Sequence, residues 1–275
     1  AVKEQNEVVT YSLDLEGFNL AMVETYIANT SGDMRIKGAL NGHVTGKYNN
    51  RLQADGYLAF DNVEIRVPDY GFVTKLDKDT IWLEDKNIML KDFFLTDQYH
   101  QQLDINGNIG LSATPKLDLN IISEKYTLLD QENEDSDISG KLGISTDLRI
   151  NGPLHQLGIS GTINTLPNSN ITYTYKSAVS LDEREKVITF TSFDNNEIET
   201  KKITAKKPSS TINWDVDVNI AKTDLYILIY ETTRDYVKMV AEGNLKLSQG
   251  IGEKPLLFGE VSSTEGSIFY DAPMV

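Results

Sequence analysis

The residues that most often carry out chemistry are scattered in this sequence. Its three histidines, His43, His100 and His155, are far apart, and each lies in a polar context rich in turn-forming residues. The sequence has no HExxH segment, no histidine pair at the spacing of metal ligands and no GxSxG segment. It also has no cysteine, which excludes disulfides, thiol catalysis and cysteine-type zinc sites. We therefore predict that the chain is not an enzyme, and we expect neither a metal site nor another cofactor.

Two charged segments could bind ions or polyanions. The acidic stretch from Asp130 to Asp137 lacks the glycine and the regular ligand spacing of an EF-hand, which favours a solvated turn over a calcium loop. The lysine cluster between Lys201 and Lys207 lies among Thr, Pro and Ser, which is typical of a solvated loop. With a net charge of -15 and no basic stripe, the chain is not expected to bind nucleic acid.

The most informative pattern is a short alternation of apolar and polar residues that recurs along the chain, mostly around glycines. Leu103, Ile105 and Ile109 alternate with polar residues around Gly107. Within Trp214–Ile220, the apolar residues alternate with Asp215, Asp217 and Asn219. A period of two gives each strand one apolar and one polar face. Repeated over the whole chain, the pattern predicts a long sheet with one long apolar face, and it predicts that Asp215 and Asp217 face water.

Local signals suggest how the strands are connected. Three Asn-Gly dipeptides, Asn41-Gly42, Asn106-Gly107 and Asn151-Gly152, are predicted to form tight turns because they tolerate positive φ. The best helical period, Ser12–Ala28, is interrupted by Asn19 and weakened by Gly17, and it predicts a short helix or a distorted strand. The segment Leu225–Tyr230 is apolar on both faces, so it is either covered on both sides or directs aromatic rings outward.

These patterns predict an all-β fold in a single repetitive domain over residues 1–275. We expect an elongated, twisted antiparallel sheet that curls on itself, interrupted by a polar excursion at residues 191–213. Because Ile268–Val275 reads as a strand and the beginning of another, we expect the chain to be a fragment of a longer protein.

Several segments in the C-terminal half occur in an order that resembles that of a known protein family. They are Leu148–Leu154, Leu157–Ile163, Asn170–Tyr173, Trp214–Ile220, Leu225–Tyr230, Glu242–Leu247, Gly259–Val261 and Glu265–Tyr270. This series resembles the C-terminal region of the TamB family, within the wider AsmA-like group. The polar excursion and the Asn-rich composition are similar to members of the Bacteroidetes type. Together with looser group patterns upstream, the resemblance covers residues 34–270.

The resemblance implies a location, a shape and partners. It implies a periplasmic protein of a Gram-negative bacterium, anchored in the inner membrane, with a TamA-like assembly barrel in the outer membrane as its partner. It also implies a sheet folded like a taco around an apolar groove, which conducts phospholipids between the membranes by binding their acyl chains. A role in the assembly of outer-membrane proteins is implied as well.

Twelve apolar residues are predicted to line this groove. They are Ile105, Ile109, Leu117, Leu119, Ile121, Leu148, Ile150, Ile159, Trp214, Val216, Val218 and Ile220. Two other hypotheses remain open: a holdase that binds outer-membrane β-barrel clients by strand addition at an open sheet edge, and a structural or adhesin solenoid with a closed core. The hypotheses differ in whether the apolar side chains meet one another or line an open channel, and in whether the edge strand is free.

Overall fold

Fourteen β-strands pair into one sheet in the computed structural model, which describes residues 8–24, 34–48, 52–132, 136–174, 212–228 and 235–269. Two short 3-10 helices, Leu20–Val23 and Pro68–Tyr70, follow β1 and β3. The strands are β1 Val9–Asn19, β2 Arg35–Tyr48, β3 Leu52–Val67, β4 Phe72–Leu76, β5 Thr80–Glu84, β6 Asn87–Asp97, β7 Gln102–Gly110, β8 Lys116–Gln131, β9 Ile138–Pro153, β10 Leu157–Thr165, β11 Asn170–Thr174, β12 Ile212–Leu228, β13 Tyr236–Gln249 and β14 Leu256–Phe269. The predicted all-β fold is confirmed.

Strands mostly follow one another across the sheet in chain order. Strands β4 and β5 share one place between β3 and β6, and β10 and β11 share one place between β9 and β12. Neighbours are antiparallel, as predicted, except that β10 and β11 both run parallel to β12. A parallel pairing needs a long crossover connection, and the chain between residues 174 and 212 supplies one. That crossover segment lies outside the described residues.

Three local predictions need correction. The dipeptides Asn41-Gly42, Asn106-Gly107 and Asn151-Gly152 lie inside β2, β7 and β9 and are not hairpin turns. Gly107 and Gly152 do have positive φ, but they use it to kink a strand.

The structure also defines the segment with a helical period and joins two predicted strands into one. Ser12–Ala28 is a strand with a register shift between Leu15 and Phe18, followed by the first 3-10 helix, as far as it is described. The predicted strands at Trp214 and Leu225 form the single strand β12, in which the register shifts between Ile220 and Thr223. Ile212 and Asn213 belong to β12 as well. The rest of the predicted polar excursion and the lysine cluster lie outside the described residues.

The sheet curls so far that β4 meets β8, although the strand order places β6 and β7 between them. Tyr126 Oη in β8 donates a hydrogen bond to Thr74 Oγ1 in β4 at 2.8 Å, and its ring lies 6.4 Å from that of Phe72. Gln131 Nε2 donates to the carbonyl oxygen of Pro68 at 2.6 Å. Burial raises the pKa of Tyr126, so its hydroxyl stays protonated and remains a donor to Thr74. These contacts close the sheet around a core at one end.

Candidate functional site

The strand registers bring all twelve predicted groove residues to one face of the sheet. Leu119 lies opposite Ile150, Ile150 opposite Ile159, and Ile159 opposite Trp214, so these four form one row across four strands. Directly opposed residues point to the same side of a sheet, and so do residues two apart on one strand. We call this side the inner face and the opposite side the outer face.

A second row runs beside the first on the inner face. Ile121 lies opposite Leu148, Leu148 opposite Gly161, and Gly161 opposite Val216. The row then continues to residues that the prediction omitted, Leu247 and Leu257. Leu247 carries the same alternation as the predicted residues, so its signal was already present in the sequence. Leu257 lies between Leu256 and Phe258, an apolar run in which the sequence does not distinguish the two faces.

The inner face is uncharged over a long distance. From β7 to β14, no Asp, Glu, Lys or Arg occupies an inner-face position in the paired strands that the structure describes. The charged residues of these strands point the other way. Asp215 and Asp217 lie on the outer face and are exposed, as predicted, and Lys246 Nζ lies 2.7 Å from Asp215. This hydrogen bond to Asp215, with the charge of Asp217 nearby, raises the pKa of Lys246.

Burial along the inner face changes from one end of the sheet to the other. Ile105, Ile109, Leu117, Leu119 and Ile150 pack into a core that also contains Leu20, Val63, Leu76, Leu90 and Phe93. From β10 onward the inner-face residues are mostly half-buried, those of β14 are exposed, and the buried exceptions are Val216, Thr223, Ala241 and Gln249. The side chains therefore meet one another at the N-terminal end and line an increasingly open surface toward β14.

This sheet was compared with known proteins. The model of the TamB C-terminal domain matches residues 91–271, which is from the middle of β6 to beyond β14. The chain belongs to the TamB family. This membership makes it a bacterial envelope protein of a transport and assembly module associated with the outer membrane. No curated protein and no solved structure matches the chain.

The matched TamB region contains the whole uncharged inner face, whereas β1 to β5 lie outside it. Its last described strand, β14, pairs only with β13 among the described residues, and all fourteen of its residues are exposed. Leu257, Val261 and Ile268 lie on its inner face, while Leu256 and Phe258 lie on its outer face. Within the described residues β14 is thus an edge strand, and it carries apolar side chains on both faces.

In the same TamB region, β12 shows which way the side chains of the apolar segment Leu225–Tyr230 point, as far as that segment is described. Leu225 and Ile227 lie on the inner face, opposite Met239 and Val237. Tyr226 lies on the outer face, where its ring centroid is 5.3 Å from that of Tyr236. The alternative in which an aromatic ring points outward is therefore correct as far as Leu228, where the described part of the strand ends.

The polar residues singled out in the sequence do not come together. His43 contacts the carboxylate of Asp14 on the exposed outer face, and His100 and His155 lie in exposed turns. Asp130 accepts a hydrogen bond from Tyr99 Oη at 2.6 Å. No cluster of three or more potential metal ligands is present in the described ranges, and no helix there has the length and hydropathy of a membrane span.

Proposed function

We propose that the inner face of this TamB-family sheet binds phospholipid acyl chains and conducts them through the periplasm, between the inner and outer membranes. The observation that carries this proposal is the uncharged inner face from β7 to β14, which is mostly half-buried or exposed beyond β10. Acyl chains would lie on the inner face, and their head groups would remain in water beyond the strand ends.

The dimensions of the inner face suit this role. The path from β7 to β14 has seven strand positions with both ends included, and its six spacings of about 4.8 Å give a length of roughly 29 Å. This is close to the full hydrocarbon thickness of a bilayer, about 30 Å, which two leaflets of acyl chains share. One acyl chain therefore fits along the inner face with room for a second. Each buried CH₂ group contributes about 0.8 kcal/mol, so partial burial of a chain gives an affinity that remains reversible.

Membership of the TamB family supports the remaining parts of the proposal. The parent protein would be anchored in the inner membrane, and a TamA-like barrel in the outer membrane would receive its open end. Within the described residues the inner face opens toward β14, because its N-terminal side is closed by the core around Leu90 and Phe93. Lipid would therefore enter or leave this segment on the β14 side.

A second function, as a holdase for outer-membrane β-barrel clients, is favoured by the same edge strand. An exposed strand of fourteen residues, unpaired on one side within the described residues, can template another strand through its backbone groups. A purely structural solenoid is less well supported, since its inner face would be closed along the whole length, whereas Leu257 and Ile268 are 63% and 76% exposed.

Photo-cross-linking tests the conduit. A photoreactive residue at Ile159, Val218 or Leu245 should capture phospholipid at all three positions, because they lie on β10, β12 and β13 of one inner face. The same residue at Asp217, which points outward from β12, is the control and should capture none. Capture of unfolded barrel peptides without lipid would favour the holdase, and capture of neither by a folded protein would favour the structural solenoid.

Placing a charge on the inner face separates an open surface from a closed core. Val218→Asp should abolish retention of lipid while lowering the melting temperature only slightly, because Val218 is half-buried and its new carboxylate can reach water. Val216→Asp should lower stability by several kcal/mol, roughly 3–5, because Val216 is 1% exposed.

The matched control is Asn213→Asp, which adds the same charge to the exposed outer face of β12. It should change neither lipid retention, measured by mass spectrometry of the purified protein, nor the melting temperature. If Val218→Asp destabilises the protein as much as Val216→Asp does, the inner face is closed at this strand and the conduit proposal fails there.

A further inference from the structure

A second candidate site lies on the outer face, where the ends of β8, β9, β11, β12 and β13 come together. Two neighbouring rows of side chains form it. One row contains Asp130, Lys141, Asn170 and Asp224, and the other contains Thr172, Tyr226 and Lys238. They line two cavities of about 810 and 500 Å³ that share Asn170, Thr172 and Tyr226 and so form one cleft.

Side-chain contacts hold Asn170 and Lys141 in place on one side of the cleft, whereas the polar groups on the other side remain able to bind a ligand. Asn170 Oδ1 accepts from the backbone N–H of Lys141 at 3.1 Å, and Lys141 Nζ lies 3.6 Å from the centre of the Tyr99 ring. The side chains of Thr172, Tyr226 and Lys238 make no hydrogen bond to another residue in the part of the chain that the structure describes. Their hydroxyl and ammonium groups can therefore bind a ligand.

Aromatic rings form one wall of the cleft. The ring of Tyr226 lies 5.3 Å from that of Tyr236, and Tyr236 stacks on Phe269 with an interplanar angle of 15°. At the opposite end stands Tyr99, which is 45% exposed. Rings with one apolar face and a polar hydroxyl suit a ligand that is itself both apolar and hydrogen-bonding.

We propose that this cleft binds a glycan, through the C–H faces of its pyranose rings and through their hydroxyl groups. Carboxylate, amide, hydroxyl and ammonium groups alternate along the rows, which offers acceptors and donors side by side for sugar hydroxyls. Three carboxylates, Asp130, Glu132 and Asp224, and two ammonium groups, Lys141 and Lys238, line the cleft, so its net charge is small and disfavours a strongly anionic ligand.

The shape of the cleft also favours a glycan over a peptide. The central strands of its floor, β9, β11 and β12, are already paired on both sides, so their backbone groups cannot accept an added strand. The first row crosses four strands, whose three spacings of about 4.8 Å correspond to roughly 14 Å, enough for a short oligosaccharide. Envelope glycans of this kind occur in peptidoglycan and in the saccharide part of lipopolysaccharide.

Titration calorimetry with two probes tests the proposal and distinguishes the two sources. Chitotetraose represents the backbone of peptidoglycan, and a lipid-free lipopolysaccharide core oligosaccharide represents the other source. We expect saturable binding of at least one probe by the full chain. Tyr226→Ala should weaken it roughly tenfold, at the upper end of what an aromatic contact contributes. Thr172→Val, which removes only a hydroxyl group, should weaken it less, and Tyr48→Ala, at an exposed tyrosine far away on β2, should not change it.

The proposal is overturned if neither probe binds to the folded protein, if Tyr48→Ala weakens binding as much as Tyr226→Ala does, or if a barrel-strand peptide binds the cleft in place of both sugars. The glycan site does not depend on the lipid conduit, because Val218 and Tyr226 lie on opposite faces of β12. Val218→Asp should therefore retain full glycan binding while it loses lipid, and Tyr226→Ala should retain lipid.

Discussion

Gly107→Ala is expected to destabilise the protein by about 2–5 kcal/mol, which combines backbone strain with an overlap that the packed sheet cannot relieve. Gly107 lies inside β7 with a φ of +141°, a region that residues with a Cβ rarely adopt. A Cβ built on it would overlap the carbonyl oxygen of Asp118 and lie 2.9 Å from Leu119 Cα. Both of these neighbours are backbone atoms of β8, so they cannot move without displacing the strand.

Gly110→Ala in the same strand is the matched control. Its Cβ would find no heavy atom closer than 3.7 Å, and its φ is outside the left-handed region. This substitution should be neutral or slightly stabilising, by less than about 1 kcal/mol, because alanine restricts the unfolded chain. Urea unfolding followed by the fluorescence of the two tryptophans measures both variants. Equal unfolding midpoints for the two variants would show that the kink at Gly107 is not required.

The same backbone conformation recurs at two other glycines of the inner face. Gly161 in β10 and Gly259 in β14 both have a φ of +133°, and each would place a Cβ against the backbone of the neighbouring strand. Glycines at such positions let a sheet curve strongly while its strands remain paired. The curvature that makes the inner face a groove therefore depends on where glycine interrupts the apolar alternation.

Local pattern was sufficient to predict the face of each groove residue. Ile150 and Val218 are far apart in sequence, yet both lie on the inner face because the period of two leaves no other arrangement once the strands pair. The Asn-Gly dipeptides show the limit of the same reasoning. Their positive φ was predicted correctly for Gly107 and Gly152, but hairpin turns and strand kinks both use that conformation.

Features that depend on distant pairings could not be predicted. The outer-face cleft requires Asp130, Asn170 and Tyr226 to come from three strands, two of which run parallel. The closure of the N-terminal end requires Thr74 to reach Tyr126 over the β6–β7 turn. Neither arrangement leaves a periodic signal in the sequence, because each is set by how far the whole sheet curls.

The β6–β7 turn provides the second large expected effect. Asp97→Ala should destabilise the protein by about 3–6 kcal/mol, because it removes the acceptor of three backbone N–H groups, each worth about 1–3 kcal/mol when buried and unpaired. Asp97 is 1% exposed. Its Oδ1 accepts from the N–H groups of Tyr99 and Gln101 at 2.8 and 2.9 Å, and its Oδ2 accepts from Thr127 N–H in β8 at 2.8 Å.

Asp97→Asn separates the role of Oδ1, which holds the turn, from that of Oδ2, which joins the turn to β8. An amide retains one acceptor oxygen, which can still hold the turn at Tyr99 and Gln101, but its NH₂ group cannot accept from Thr127. Amide hydrogen exchange should therefore accelerate at Thr127 much more than at Tyr99. Asp118→Ala, at an exposed carboxylate paired with Arg149 at 3.1 Å, should alter neither exchange nor stability by more than about 0.5 kcal/mol.

If Asp97→Asn leaves the exchange of Thr127 unchanged, the carboxylate does not join the turn to β8. If exchange does accelerate, the consequence extends to the inner face, because Thr127 follows Tyr126, whose hydroxyl joins β8 to Thr74 of β4. Loosening this end would open the core around Phe93, and a photoreactive residue at Ile105 would then begin to capture lipid. Asp97 would thus determine where along the sheet the closed core ends and the open groove begins.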